Sequence, residues 1–198
     1  MSERKDRERR ERERRIVATA RELAEREGWS AVTTRRLAEL IDHSQPVLYS
    51  HFPNMAAVAD AVAIEGFAEL AAALRRARRR AGDAHAALLA VARAYRRFAR
   101  ERPATFEAMF VRPTALTFAS AQTPDELRAG FGELREAIRP FAGEEGLDRL
   151  TEVAWATIHG IVTLEVQERV PTDRDGSRLR VAVDLLTAGA ARAVPATH

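Results

Sequence analysis

The chain has 198 residues, 46% of them hydrophobic and 31% charged, with a formal net charge of +3, so it can bury one or two real cores. It contains no cysteine, which excludes disulfides and thiol nucleophiles, and it lacks the run of about 18 apolar residues that a membrane-spanning helix needs. The basic charge is nearly all arginine, since Lys5 is the one lysine, and arginine suits planar, bidentate contact with phosphate or carboxylate.

The pattern is helical throughout, rich in Ala, Leu, Arg and Glu, and predicts an all-α protein. Residues 1–12 read as a charged arm, either a solvated extension of the first helix or an arm that reaches a DNA minor groove or phosphates. The arm has no apolar core, so it is no secretory signal, and a cytoplasmic location is expected. A first helix from about residue 12 to 27 carries Ile16, Ala20, Leu23 and Ala24 on one face. Gly28 is placed to end it in the left-handed conformation, and Trp29 then returns to the core. Thr33 caps a second, short helix with Leu37, Ala38 and Ile41 as its buried stripe.

Asp42-His43-Ser44 forms a turn into a third helix over 45–51, capped by Ser44 or by Gln45. Pro46 then falls in the first turn, where its missing N–H has no helical partner to lose. Leu48 and Phe52 face inward, leaving Ser44, Gln45, Val47, Ser50 and His51 outward. That outer face is short, polar and low in charge, as a helix entering the major groove requires. Gln45 can pair with adenine, and Pro46 and Val47 can touch a thymine methyl. Tyr49, His51 and Thr33 can donate to phosphates. Two short helices and a tight turn before a long helix make a helix-turn-helix layout; the alternative is an ordinary helical corner. Longer helices are expected near 54–80, 84–101, 103–111, 124–142, 146–169 and 177–193.

Residues 16–62 resemble the N-terminal domain of TetR-family transcriptional regulators. The most specific pieces are Ala24 to Gly28 ahead of Trp29, Leu37-Ala38, Ser44, and Leu48-Tyr49 with His51-Phe52-Pro53. Trp155 with His159-Gly160 resembles the W…HG signature of one TetR C-terminal domain class. The resemblance implies a homodimer, a double-stranded DNA operator, and a small-molecule effector bound in the C-terminal domain. It implies backbone contacts from Thr33, Thr34 and Arg36, base contacts from Ser44, Gln45, Pro46 and Val47, and further DNA contacts from Tyr49, Ser50 and His51. It also implies a DNA-binding domain over 1–53 and a helical effector-binding and dimerisation domain over 54–198, with the fourth helix as connector. Three positions depart from the family pattern. Asp42 and Pro46 stand where glycine is common, and Met55 stands where a lysine often meets phosphate. Asp42 should tolerate positive φ with slight strain.

In the C-terminal part, the last two helices are expected to pair across a dimer seam through Leu150, Ile158, Ile161, Leu179, Val183, Leu186 and Ala190, against the alternative that these helices cover only their own subunit. An effector pocket is expected from Phe67, Leu70, Tyr95, Phe98, Met109, Phe110, Phe118, Trp155 and His159, against the alternative that these residues simply fill a core. His159 is a core histidine or an effector's hydrogen-bond partner. The run Arg75 to Arg80 ends the fourth helix, where cations complement the dipole; it reads as a solvated terminus, against the alternative of a second DNA site. No metal or cofactor motif is present. The sequence carries no G-x-S-x-G, H-E-x-x-H or glycine phosphate loop, so it does not read as an enzyme. The other reading is a helical small-molecule or lipid carrier that never meets DNA.

Overall fold

The computed structural model describes residues 2–117, 120, 122–171 and 173–193, without the side-chain surroundings of Ser2 and of 189–193. Among them are nine α-helices and no strand: α1 (Ser2–Glu27), α2 (Thr34–Ile41), α3 (Gln45–His51), α4 (Met55–Arg79), α5 (Ala84–Glu101), α6 (Pro103–Phe110), α7 (Asp125–Ile138), α8 (Glu144–Val166) and α9 (Ser177–Ala193). The all-α expectation holds. They form two compact units, one from Met1–Phe67 and Arg102–Pro124, the other from Ala68–Glu101 and Asp125–His198. The segment around α6, expected with the C-terminal helices, groups instead with the N-terminal ones.

In the first unit, Ile16, Leu23, Leu37 and Ile41 are fully buried, so α1 and α2 meet along the predicted stripes. Helix α1 begins at Ser2, so the charged arm is a continuation of that helix. Pairs Arg4–Glu8 (2.8 Å) and Arg9–Glu13 (2.9 Å) support it at i,i+4 spacing. Gly28 ends α1 with φ 80° and ψ 164°, not in the expected left-handed helical region but in a conformation open essentially to glycine alone. Trp29 follows, buried, and its indole Nε1 donates to the Ala104 carbonyl at 2.8 Å. The Glu25 carboxylate accepts from the backbone N–H groups of Ala104 (3.0 Å) and Thr105 (2.9 Å) and from the Thr105 hydroxyl (2.6 Å). Those amides start α6, where helical donors have no partner of their own. Asn54 caps α4 by accepting from the Ala57 N–H at 2.8 Å, as its position predicts.

The second unit packs α5, α7, α8 and α9 around Leu88, Val91, Ile138, Leu147, Val162 and Leu179. Its polar interior is paired. Arg96 Nε donates to the nearly buried Glu165 at 2.6 Å, and Arg178 Nη1 reaches the same carboxylate at 3.2 Å. Asp173 caps α9, accepting from the Ser177 N–H (3.1 Å), the Ser177 hydroxyl (3.1 Å) and the Arg178 N–H (2.8 Å). Burial opposes charge on Asp173, but these donors hold its carboxyl well below the usual range.

Arg75 and Arg78, expected on a solvated helix end, close on the Glu133 carboxylate of α7 at 2.6 and 2.8 Å. Sequence separation of more than 50 residues hid this pairing. Burial works against the charged form of Glu133, yet the two guanidiniums hold its pKa below the ordinary value.

Candidate nucleic-acid interface

Helix α2 starts at Thr33, whose hydroxyl accepts from the Arg36 N–H at 3.3 Å. It ends at Asp42, which adopts the left-handed conformation (φ 57°, ψ 48°). The Asp42 turn therefore takes the positive φ that glycine would supply, as expected. Ser44 occupies the cap position of α3, which settles Pro46 as the second helical residue, although the serine side chain makes no capping bond. Its hydroxyl is left exposed and available to another partner.

Helix α3 has seven residues, and Leu48 is its buried anchor at 2% exposure. A helix this short has little stability of its own, so its packing on α1 and α2 orients it. Ser44, Gln45, Pro46, Tyr49 and Ser50 are exposed and Val47 is half-buried. The leading edge is thus presented outward and carries no charge. The Ser50 hydroxyl is turned back, donating to the Val47 carbonyl at 2.7 Å. Tyr49, 52% exposed, meets the Thr34 hydroxyl at 3.3 Å and so ties α3 to the start of α2.

Two expected DNA contacts need correction. His51 does not face outward: its side chain is 5% exposed, with Nδ1 3.3 Å from the Glu13 carboxylate of α1. The reason is helical phase, because His51 lies three residues beyond Leu48 and shares its inner face. Arg36 does not present a free guanidinium; it forks onto Glu27 at 2.6 and 3.1 Å. Bonds from Arg36 first, then Arg26, hold the Glu27 carboxyl down at about 2. Glu13 and Glu27 are positioning residues that periodicity within a single helix does not reveal.

The expected effector residues divide between the units. Phe67, Met109 and Phe110 belong to the first, where the Phe67 and Phe110 rings meet edge to face at 5.2 Å. Leu70, Tyr95, Phe98, Trp155 and His159 belong to the second. There Tyr95 and His159 Nδ1 are 2.8 Å apart, and His159 Nε2 is 3.4 Å from the Thr163 hydroxyl. Burial pushes the Tyr95 hydroxyl far up and the His159 imidazole down. Trp155 stacks beside His159 at 5.7 Å and is 39% exposed, more open than a core residue. Phe118 lies outside the described residues.

The dimer expectation is corrected in its residues. Ile158, Leu179 and Val183 are at most 3% exposed and are consumed by the subunit's own core. Leu150, Ile161 and Leu186 are half-buried, and the side chain of Ala190 lies outside the described residues. The open apolar side chains are instead Val153 and Leu164 on α8, and Val181 and Leu185 on α9. They stand about a third of a turn or more away from the buried stripe on the same helices. Among the described residues no helix is long and apolar enough to cross a membrane.

Comparison with known proteins agrees with this arrangement. Residues 16–62 match the family described as bacterial regulatory proteins, tetR family, and residues 88–186 match the tetracyclin repressor-like C-terminal domain. The chain is 48% identical over 48 residues to the class C tetracycline repressor protein of Escherichia coli, a stretch covering 24% of this chain and 22% of that protein. It thus spans about a fifth of the length of that curated relative. Among solved structures, a protein of unknown function from Rhodococcus sp. RHA1 superposes with a TM-score of 0.73 at 27% identity, over 89% of this chain and 94% of that one. A TetR variant from Acinetobacter baumannii AYE in complex with minocycline gives 0.61 at 24% identity, over 89% and 94%. BioQ of Mycobacterium smegmatis gives 0.58 at 24%, over 89% and 96%. With a helix-turn-helix matched at one end and half the chain matched by the C-terminal domain, this protein belongs to the TetR family, whose members are transcriptional regulators rather than enzymes.

Proposed function

We propose that this chain is a ligand-responsive repressor that binds a palindromic DNA operator as a homodimer and is released by a small, apolar effector. The observation that carries the proposal is the outward, uncharged leading edge of α3, with Gln45 and Pro46 exposed while Leu48 is anchored. Gln45 reads adenine, Pro46 and Val47 contact thymine methyls, and Ser44 contributes its free hydroxyl. Thr33, Thr34 and Tyr49 touch backbone phosphates and set register. Residues 1–53 serve as the reading domain and 54–198 as the effector and dimerisation domain.

Two copies pair through the open stripe on α8 and α9. Leu185 at 70%, Val181 at 56% and Val153 at 50% exposure are costly to leave in water, and Gly160 between Val153 and Leu164 permits close helix approach. Twofold pairing sets the two reading helices about 34–36 Å apart, one turn of B-DNA. The effector binds among the aromatic side chains of the second unit, with Tyr95 and His159 as polar contacts and Trp155 at the opening, and acts on the reading helices through α4. Released and bound states must differ by about 5.5 kcal/mol in effector binding for a nearly complete switch.

The test is a nuclease footprint on the DNA flanking the protein's own gene. A symmetric protected site is expected, lost in Gln45→Ala and Tyr49→Ala while Leu185→Glu yields monomers in sedimentation. Alanine variants that bind as the wild type does would mean that α3 is not the reader. An apolar ligand bound by a protein that footprints nowhere would favour the carrier reading.

A further inference from the structure

Residues 3–15 carry eight basic and five acidic side chains, a surplus of three, and the whole chain's formal net charge is also +3. All of the protein's net positive charge is therefore concentrated in the first half of α1, and residues 16–198 are formally neutral. The arrangement within that half is uneven. Arg4 and Arg9 are taken up by Glu8 and Glu13. Among the described residues, no carboxylate lies within ion-pair distance of Arg7, Arg10 or Arg14, and all three are exposed. They stand at i, i+3 and i+7, on one side of the helix.

The structure also says where this stripe lies. Glu13, next to Arg14, touches His51, the last residue of α3. Helix α1 then continues from Glu13 to Ser2, about 16 Å of rigid rod at 1.5 Å per residue. From Arg7 to Arg14 the stripe spans about 10 Å, enough to follow roughly three phosphates of one strand at 3.4 Å of duplex axis each. No apolar side chain occurs between Ser2 and Arg15, so the rod has no face with which to enter a lipid surface.

We propose that the N-terminal half of α1 is a second DNA contact, in which Arg7, Arg10 and Arg14 grip the phosphate backbone beside the site read by α3. The proposal rests on the reading of α3 as a DNA-binding helix. The contact is blind to sequence: it adds affinity and salt dependence, while base discrimination stays with α3. The interleaved glutamates keep the rod helical through i,i+4 pairs and limit its attraction to DNA in general.

The test uses the full-length protein and the footprinted operator, with affinity measured by fluorescence anisotropy across a salt series. The wild type is compared with the triple variant Arg7→Gln, Arg10→Gln, Arg14→Gln, whose helix content is checked by circular dichroism. The variant should bind more weakly, with a log K against log salt slope shallower by about 2.7 per subunit, or 0.9 for each lost phosphate contact. Its preference for operator over scrambled duplex should be unchanged. An identical slope in wild type and variant overturns the proposal and leaves the α3 reading intact. Loss of the operator preference in a folded variant would also overturn it, by making the stripe a base reader. A wild type that binds no duplex removes both readings.

Discussion

Gly66 lies inside α4, where replacing glycine by alanine ordinarily gains up to about 1 kcal/mol of helix propensity. Here the sign should reverse. A Cβ at Gly66 would sit 2.6 Å from Thr105 Cγ2 and 2.8 Å from Met109 Sδ. The methionine can move, but the threonine cannot: it is fully buried, stiff at χ1, and its hydroxyl donates to Glu25 at 2.6 Å. Turning Thr105 away would break that bond. Overpacking of this kind costs about 2–3 kcal/mol, so Gly66→Ala should lose about 1–2 kcal/mol net after the propensity gain. Gly132 in α7 is the internal control, because a Cβ there meets nothing within 4 Å. Gly132→Ala should gain about 0.5–1 kcal/mol. Urea unfolding of both variants at one protein concentration measures these opposite changes, which should differ by about 1.5–3 kcal/mol. If Gly66→Ala stabilises as much as Gly132→Ala, then the packing of α6 against α4 drawn from this structure is wrong.

Further outcomes follow from the turn, the buried carboxylate and the indole. Asp42→Val should lose about 1–2 kcal/mol, since a β-branched residue resists positive φ, whereas Asp42→Gly should stay within about 0.5 kcal/mol of wild type; equal stability of the two would refute the left-handed turn. Glu133→Gln should cost about 1–2 kcal/mol near neutral pH, discounted because Arg75 is half exposed. The folded-state pKa of Glu133 is depressed, so its contribution is present above the ordinary carboxylate range and is lost as pH falls through the folded value. The gap between wild type and Glu133→Gln should therefore close in acid, and a gap that stays constant with pH would argue against the arginine clamp. Trp29→Phe removes the donor to the Ala104 carbonyl and should cost about 1–2 kcal/mol, visible as a lower urea midpoint with an unchanged slope.

The local chemistry of this chain was written in short stretches of sequence. Thr33, Asp42, Asn54 and the stripe Leu37-Ala38-Ile41 act through neighbours one helical turn away, so spacing alone predicts α2, the turn and the start of α4. The exposed edge of α3 was legible for the same reason. What was not legible depended on partners distant along the chain. Arg36 is claimed by Glu27 and His51 by Glu13, while Arg75 and Arg78 close on Glu133. A charged or imidazole side chain has several possible partners at helical spacing, and which one it meets is decided when helices pack.

The proposed dimer stripe shows the same limit in apolar form. Helices α8 and α9 are apolar on more than one side, and periodicity cannot say which side the subunit uses for itself. Tertiary packing buries Ile158, Leu179 and Val183 and leaves Val153, Val181 and Leu185 in water. Sequence thus determines which helices form and which are amphipathic, because those depend on short-range hydrogen bonds and periodicity. Only the folded arrangement decides which charges are spent inside and which surfaces remain for a partner, because burial is a property of neighbours far apart in the chain.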